Sequence, residues 1–167
     1  MKRVLISLIL ACSSATAAAA SPDLAMKWGA DATSLYSESV THLGQVEQNK
    51  APTELSDSFV DRIVRFAIEA TRLGKWMDEN TDTTDFGCIF RGMAEEADRQ
   101  LQEIVQSRSP AEQAASLKRI IAMFDDAQTI AVAALEVANT GEASQAPTAH
   151  QCLANSVAVD QYFTEQP

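Results

Sequence analysis

Few side chains in this sequence could carry proton transfer or nucleophilic attack near neutral pH. The chain has two histidines, His42 and His150, and histidine is the side chain that ordinarily titrates in this range. Neither belongs to a catalytic motif, and the Gly-x-Ser-x-Gly turn of serine hydrolases does not occur in the sequence. We therefore expect both histidines at the surface and identify no catalytic residue. The sequence favours a protein that is not an enzyme.

Metal chemistry is not indicated either. The sequence has no Cys-x-x-Cys, no His-Glu-x-x-His and no Glu-x-x-His pair of the kind that di-metal helical bundles use. The acidic pairs Glu95-Glu96 and Asp125-Asp126 lie in helical sequence, whereas a calcium loop alternates Asp and Asn around a Gly. We expect charged helix faces at both places, with no bound metal and no cofactor.

Residues 1–20 have the features of a secretory signal peptide. Lys2 and Arg3 precede an apolar run over residues 4–11, and small residues occupy positions 17–20. The apolar run is much shorter than the roughly 20 residues of a membrane-spanning helix. We expect cleavage after Ala20 and a periplasmic or secreted protein with no transmembrane segment. The stretch 9–12 is similar to a bacterial lipoprotein processing box, so lipid anchoring at Cys12 is the alternative.

Cleavage would leave two cysteines, Cys88 and Cys152, which allow one intramolecular pairing. In an oxidising compartment such a pair is far more often a disulfide than a metal site or a catalytic thiol. The bridge would close a loop of about 65 residues, which is worth about 4 kcal/mol in the chain-entropy account. We therefore predict a disulfide between these two residues.

Apolar residues recur at spacings of three and four along most of the chain, which is the period of an amphipathic helix. Strand signals, such as an Asn-Gly turn between alternating β-branched residues, do not occur. The sequence predicts an all-α fold: an antiparallel bundle of four to five helices in a single domain over residues 21–167. The predicted helices cover about residues 24–48, 55–79, 85–106, 110–139 and 148–163. The last is short and weakly apolar, and the disulfide would hold it against the start of the third helix.

The fourth predicted helix has the clearest beginning, because Ser109 and Glu112 form a capping box and Pro110 takes the first helical position. The expected inner face of the first helix is Trp28, Leu35, Val40, Leu43 and Val46. In the second helix Val60, Val64 and Ile68 lie beside the inner face. The expected inner face of the fourth helix is Leu117, Ile120, Ile121, Phe124, Ala127, Ala131, Leu135 and Ala138. Three further apolar residues widen this stripe in the second half of the helix: Met123, Ile130 and Val137.

The most unusual local string is Gly87-Cys-Ile-Phe-Arg-Gly-Met93. Arg91 follows Cys88 by one turn, and Gly92 costs the helix about 1 kcal/mol relative to alanine. A glycine inside a helix often marks the close approach of another backbone. We expect the last helix to cross at Gly92, with Arg91 bonded to its carbonyls or to a neighbouring acid. The alternative is that Arg91 contacts an anion or a partner protein.

The net charge of the chain argues against two classes of binding partner. The 23 acidic and 13 basic residues give a net charge of −10, which opposes sequence-independent binding to nucleic acid or to anionic lipid. An apolar content of 46% is too high for a disordered chain. We expect an exported, non-enzymatic protein that acts by contact with another protein, such as an adaptor, a chaperone-like factor or an inhibitor. Its acidity favours a basic partner.

The alternative is a helical bundle that binds a small ligand or haem. In this respect the chain resembles the exported four-helix cytochromes of the b type, which hold haem between a Met near the start of the bundle and a His near its end. Met26 and His150 lie at comparable positions. The resemblance implies non-covalent haem, because the Cys-x-x-Cys-His attachment motif does not occur.

Overall fold

The structure is a computed structural model that describes residues 22–81 and 84–140. Within these residues it contains four α-helices: α1 (Pro22–Asn49), α2 (Asp57–Asn80), α3 (Thr84–Gln106) and α4 (Pro110–Thr140). The all-α prediction is confirmed, and these helices begin and end within two residues of their predicted bounds. The predicted signal peptide and the predicted helix over 148–163 lie outside the described residues.

Consecutive helices pack side by side, and α4 returns to pack against α1, so that the four helices form a closed ring. Neighbours are antiparallel: Gly29, early in α1, meets Ala131, late in α4, and Gly74, late in α2, meets Gly87, early in α3. This is the arrangement that short connections favour. None of these four helices combines the length and the apolar character needed to cross a membrane.

Side-chain caps begin α2 and α4. The Ser109 hydroxyl accepts a hydrogen bond from the Glu112 N–H at 3.2 Å, and the Glu112 carboxylate accepts from the N–H groups of Arg108 and Ser109. The predicted capping box is therefore confirmed. These hydrogen bonds favour the charged carboxylate and lower the pKa of Glu112, with the Arg108 backbone contributing most. Ser56 caps α2 in the same way, by accepting from the Phe59 N–H at 3.2 Å.

One aromatic side chain from each helix meets in the middle of the bundle. The Trp28 ring of α1 stacks on Phe66 of α2 at 4.6 Å between centroids and meets Phe90 of α3 edge-on at 5.1 Å. Phe66 in turn meets Phe124 of α4 edge-on at 5.1 Å. The Trp28 indole N–H donates to the backbone carbonyl of Phe66 at 3.1 Å, which satisfies the one polar group in this buried cluster. The cluster therefore joins all four helices.

The predicted inner face of α1 is wrong at Val40, whose side chain is 44% exposed. The neighbouring Ser39 is fully buried in its place. Ser39 follows the buried Leu35 by four residues, so helical geometry carries the inner face to the serine. Our prediction relied on apolar character alone and therefore placed Val40, and not Ser39, on the inner face.

The buried face of α4 is wide, as the widened apolar stripe predicts. Met123, Ile130 and Val137 are buried, whereas Ile121 and Leu135, which we also assigned to the inner face, are half-buried. The reason is that α4 packs against both α1 and α3. Its buried surface is therefore centred between these two neighbours.

A close approach between two described helices occurs at Gly74 and Gly87, whereas the crossing expected at Gly92 stays a prediction. A Cβ atom on Gly92 would have no described atom within 4 Å, whereas a Cβ atom on Gly74 would lie 2.9 Å from the Gly87 carbonyl oxygen. Glycine permits α2 and α3 to touch backbone to backbone here. The expected crossing by the last helix involves residues outside the described part.

Candidate functional site

A groove runs along the outer side of the α2–α3 pair. The two backbones touch at Gly74 and Gly87. The groove begins at Thr71, about one turn before Gly74, and at Ala94, about two turns after Gly87. It has a volume of about 300 Å³. Its walls are Ile63, Val64, Ala67, Ile68 and Thr71 from α2 and Ala94, Glu95, Asp98 and Leu101 from α3.

The α2 wall exposes large apolar side chains to solvent. Val64 is 43% exposed and Ile68 is 49% exposed, although both lie beside the core. Val105, which follows Leu101 by one turn on α3, is 61% exposed. Single exposed valines are common on protein surfaces, but a contiguous apolar patch with a polar rim marks a place where another molecule binds.

The α3 wall supplies the polar rim. Glu95 and Asp98 lie three residues apart on one helix face, and none of the residues that line the groove is basic. The Gln102 amide donates to the Asp98 carboxylate at 2.8 Å and holds it at the edge of the groove. The guanidinium of the nearby Arg99 donates to a different acid, the buried Glu96. The groove is therefore acidic along α3 and uncharged along α2.

The structure places Arg91 beside this groove and pairs it with an acid. Its guanidinium forms a salt bridge with the Asp78 carboxylate of α2, and it also lies 3.5 Å from the Cys88 sulfur. Of the expected roles, a bond to a neighbouring acid is therefore the one that is present. Contact of Arg91 with an anion or with a partner stays a prediction. The predicted disulfide also stays a prediction, because Cys152 lies outside the described residues.

Two polar side chains are fully buried inside the bundle without hydrogen-bond partners. The Ser39 hydroxyl of α1 and both amide atoms of Gln100 of α3 have no protein partner within the described part. Buried Gln113 behaves differently: its amide accepts from the Thr53 N–H at 2.7 Å and donates to the Thr53 carbonyl at 2.8 Å. An unpartnered buried polar group costs about 1–3 kcal/mol, so the Gln100 site is a local defect in the core.

Sequence reasoning missed Gln100 because glutamine is ordinarily a surface residue of helices. The spacing of Gln100 from its apolar neighbours could have placed it on the inner face. Gln100 follows Ala97 by three residues and precedes Ile104 by four, and both of these apolar residues belong to the inner face of α3.

The structure does not bring His42 and Met26, which we considered for proton transfer and haem binding, into a common site. His42 is half-buried, with its ring 4.8 Å from that of Phe59, so our expectation of a solvated residue is wrong. Met26 is 59% exposed on the outside of α1, and His150 lies outside the described residues. Within residues 22–81 and 84–140, no three His, Cys, Asp or Glu side chains come together as a metal site.

The Lys27 ammonium of α1 bonds to a carboxylate of α2. It donates to Glu69 at 2.7 Å and to Asp31 at 3.0 Å, and the hydrogen bond to Glu69 is the main cause of its raised pKa. This cluster is an ion-pair network between helices that joins α1 to α2. It offers no reactive group, so the α2–α3 groove is the candidate site.

Comparison with known proteins leaves the groove as the main guide to function. No protein-family model, no curated protein sequence and no solved structure matches this chain.

Proposed function

We propose that the chain is an exported helical protein that acts by protein–protein contact, without catalysis, and that the α2–α3 groove is its contact surface. The observation that carries the proposal is the exposure of Val64 and Ile68 beside the acidic pair Glu95 and Asp98. Complete burial of one such apolar side chain is worth about 1.5–3 kcal/mol. A partner that covers the groove therefore recovers part of that energy.

The charge of the rim defines the partner. With a net charge of −10 for the chain and two carboxylates at the groove, the surface complements a basic protein. Complementary charges accelerate association at low ionic strength, and salt screens them. We expect the association rate to fall as salt rises, and a rate that does not depend on salt would contradict the role of charge.

Site-specific photo-crosslinking tests the proposal. The photoreactive residue p-benzoylphenylalanine replaces Ile68 in the groove or, in the control, Val132 of α4, which is exposed and apolar but lies outside it. Each full chain is expressed in the organism from which it comes and irradiated. We expect a discrete protein adduct from position 68 that is absent from position 132. No adduct at position 68, or equal adducts from both positions, would overturn the proposal.

Export and the disulfide belong to the same proposal. The support is the signal-like sequence of residues 1–20 and the cysteine pair, Cys88 and Cys152, that remains after cleavage. We expect the mature protein to begin at Ser21, and alkylation without reductant to label neither thiol. Mass spectrometry measures both. An uncleaved N-terminus or two labelled thiols in exported material would contradict this part.

The second candidate function is the binding of a small ligand inside the bundle. The observation that favours it is the set of unpartnered polar atoms on Ser39 and Gln100. Haem is less well supported than a small polar ligand, because Met26 points to solvent. A visible absorption spectrum of protein purified from its native source tests for haem, and a spectrum without a Soret band excludes it.

A further inference from the structure

Resting on the proposed contact function, we infer that the groove binds a single amphipathic helix of the partner, with a row of Lys or Arg residues along the one edge that faces α3. The inference follows from the length of the groove, the nature of its walls and the position of its charges.

The dimensions fit a helix. From Ile63 to Thr71, α2 rises about 12 Å, and from Ala94 to Leu101, α3 rises about 10 Å. Residues i and i+7 of an α-helix are separated by about 10.5 Å, and helices that bind in grooves use apolar residues at i, i+3, i+4 and i+7. A helix of two to three turns therefore spans the groove with its apolar stripe on Val64 and Ile68.

The walls exclude an extended strand as the main mode of binding. A bound strand gains affinity by pairing its backbone with a free sheet edge. Both walls of this groove are interior turns of α-helices, whose N–H and C=O groups already bond to one another. The small Ala67 and Ala94 leave room for side chains of a third helix to enter the groove, and the larger Ile63 and Leu101 lie together at the end away from Gly74 and Gly87.

The charges select the partner. Because Glu95 and Asp98 lie on α3 alone, only one edge of the bound helix meets carboxylates. The chain's own residues 141–167 contain Glu142, Asp160 and Glu165 and no Lys or Arg, so this segment would bring like charge to the rim. A second copy that binds through the same face would place the same acids against each other. A separate, basic helix is therefore the favoured occupant.

A peptide panel tests the inference with the full chain. Three fluorescein-labelled helical peptides of about 14 residues carry Lys along one edge of an apolar stripe, Glu along that edge, or Lys with the stripe scrambled. We expect the first to bind, as read by fluorescence anisotropy, and the second to bind at least about tenfold more weakly. The scrambled peptide should show no saturable binding. Equal affinities, or no binding by the Lys peptide, would overturn the inference.

Charge reversal supplies the matched control. The double variant Glu95→Lys/Asp98→Lys should now prefer the Glu peptide. Asp125→Lys/Asp126→Lys makes the same change in net charge on exposed residues of α4 and should keep the original preference. If both double variants lose the Lys peptide equally, the attraction is general and the edge-specific contact is wrong.

The photo-crosslink at position 68 separates failure of the inference from failure of the proposed function. An adduct whose cross-linked segment is a basic amphipathic helix supports both. An adduct to a strand, to residues 141–167 or to a second copy overturns the inference and identifies the true occupant. Absence of a position-specific adduct is the failure of the proposed function itself.

Discussion

The α1–α4 and α2–α3 pairs both bring two helices close together at a glycine, but their exposed apolar residues are arranged differently. In the α1–α4 pair, a Cβ atom on Gly29 would lie 2.6 Å from the Ala131 Cβ atom. The exposed Val132 follows Ala131 directly and the exposed Met26 precedes Gly29 by three residues, whereas the exposed Val40 lies about 16 Å further along α1. In the α2–α3 pair, Val64 and Ile68 are one turn apart and share one groove.

This difference shows how side-chain size along a pair of helices creates a binding surface. Gly74 and Gly87 allow backbone contact at one end of α2–α3. Toward the other end, Ile63 and Leu101 form the walls of the groove, and larger side chains keep helix axes further apart. Val64 and Ile68 lie at the opening of one groove, whereas the exposed apolar residues of α1–α4, Met26, Val40 and Val132, do not line it.

The largest expected effect concerns the aromatic cluster that both pairs share. Trp28→Ala removes contacts with Phe66 and Phe90 and leaves a cavity, so we expect the free energy of unfolding to fall by about 3–5 kcal/mol. Urea denaturation followed by circular dichroism measures it. The control Trp76→Ala changes a half-buried tryptophan of α2 and should cost less. Equal losses would show that the cluster is not the centre of the bundle.

The next effect tests the close approaches themselves. Gly29→Ala and Gly74→Ala add a Cβ atom that overlaps Ala131 or the Gly87 carbonyl. After allowing for the better helix propensity of alanine, we expect each to destabilise by about 1–2 kcal/mol.

Gly44 of α1 is the matched control, because a Cβ atom there meets no described atom within 4 Å. Gly44→Ala should stabilise the protein by about 0.5–1 kcal/mol. If Gly29→Ala or Gly74→Ala stabilises the protein as much as Gly44→Ala does, the close approach of that pair of helices does not depend on its glycine.

Substitution of Gln100 is expected to raise the free energy of unfolding, by less than the losses expected for Trp28→Ala. Gln100→Met removes two unpartnered buried amide atoms at similar volume, so we expect stabilisation by about 1 kcal/mol. Thermal denaturation measures it, with exposed Gln106→Met of the same helix as the control. Destabilisation by Gln100→Met would mean that the amide has a partner inside the bundle, which would favour the small-ligand function.

The smallest effect is expected at Asp126 of α4. Partial burial, and then the charge of Asp125, raise the pKa of Asp126 above its ordinary value of 3.8. The folded protein therefore holds this proton more tightly than the unfolded chain does, and the charged form weakens folding at neutral pH. Asp126→Asn should stabilise the protein there by about 0.5 kcal/mol or less.

The pH dependence checks the sign of this prediction. Below pH 3.8 Asp126 is protonated in both the folded and the unfolded state, so the advantage of Asp126→Asn should disappear on acidification. Melting temperatures of the two proteins at neutral and acidic pH provide the comparison. An advantage that is the same at both pH values would contradict the assigned cause.

Local features were predictable, and features that depend on how helices meet were not. The capping box at Ser109 was found from sequence because all of its hydrogen bonds lie within four residues. Val64 and Ile68 were correctly placed beside the inner face of α2, but their exposure was not predicted. Whether a neighbouring helix covers such flanking residues depends on its distance and rotation, which are properties of the packed bundle.

The helices, their ends and the acidic character of the protein follow from the sequence alone, because hydrophobic period, capping and charge act over one or two turns of chain. Packing of the bundle is what brings Gly74 against Gly87, encloses Gln100 without a described partner and gathers four residues around one groove: Val64, Ile68, Glu95 and Asp98. These are relations between residues of different helices. They arise when side chains of unequal size fill a common interior, and no local pattern specifies them.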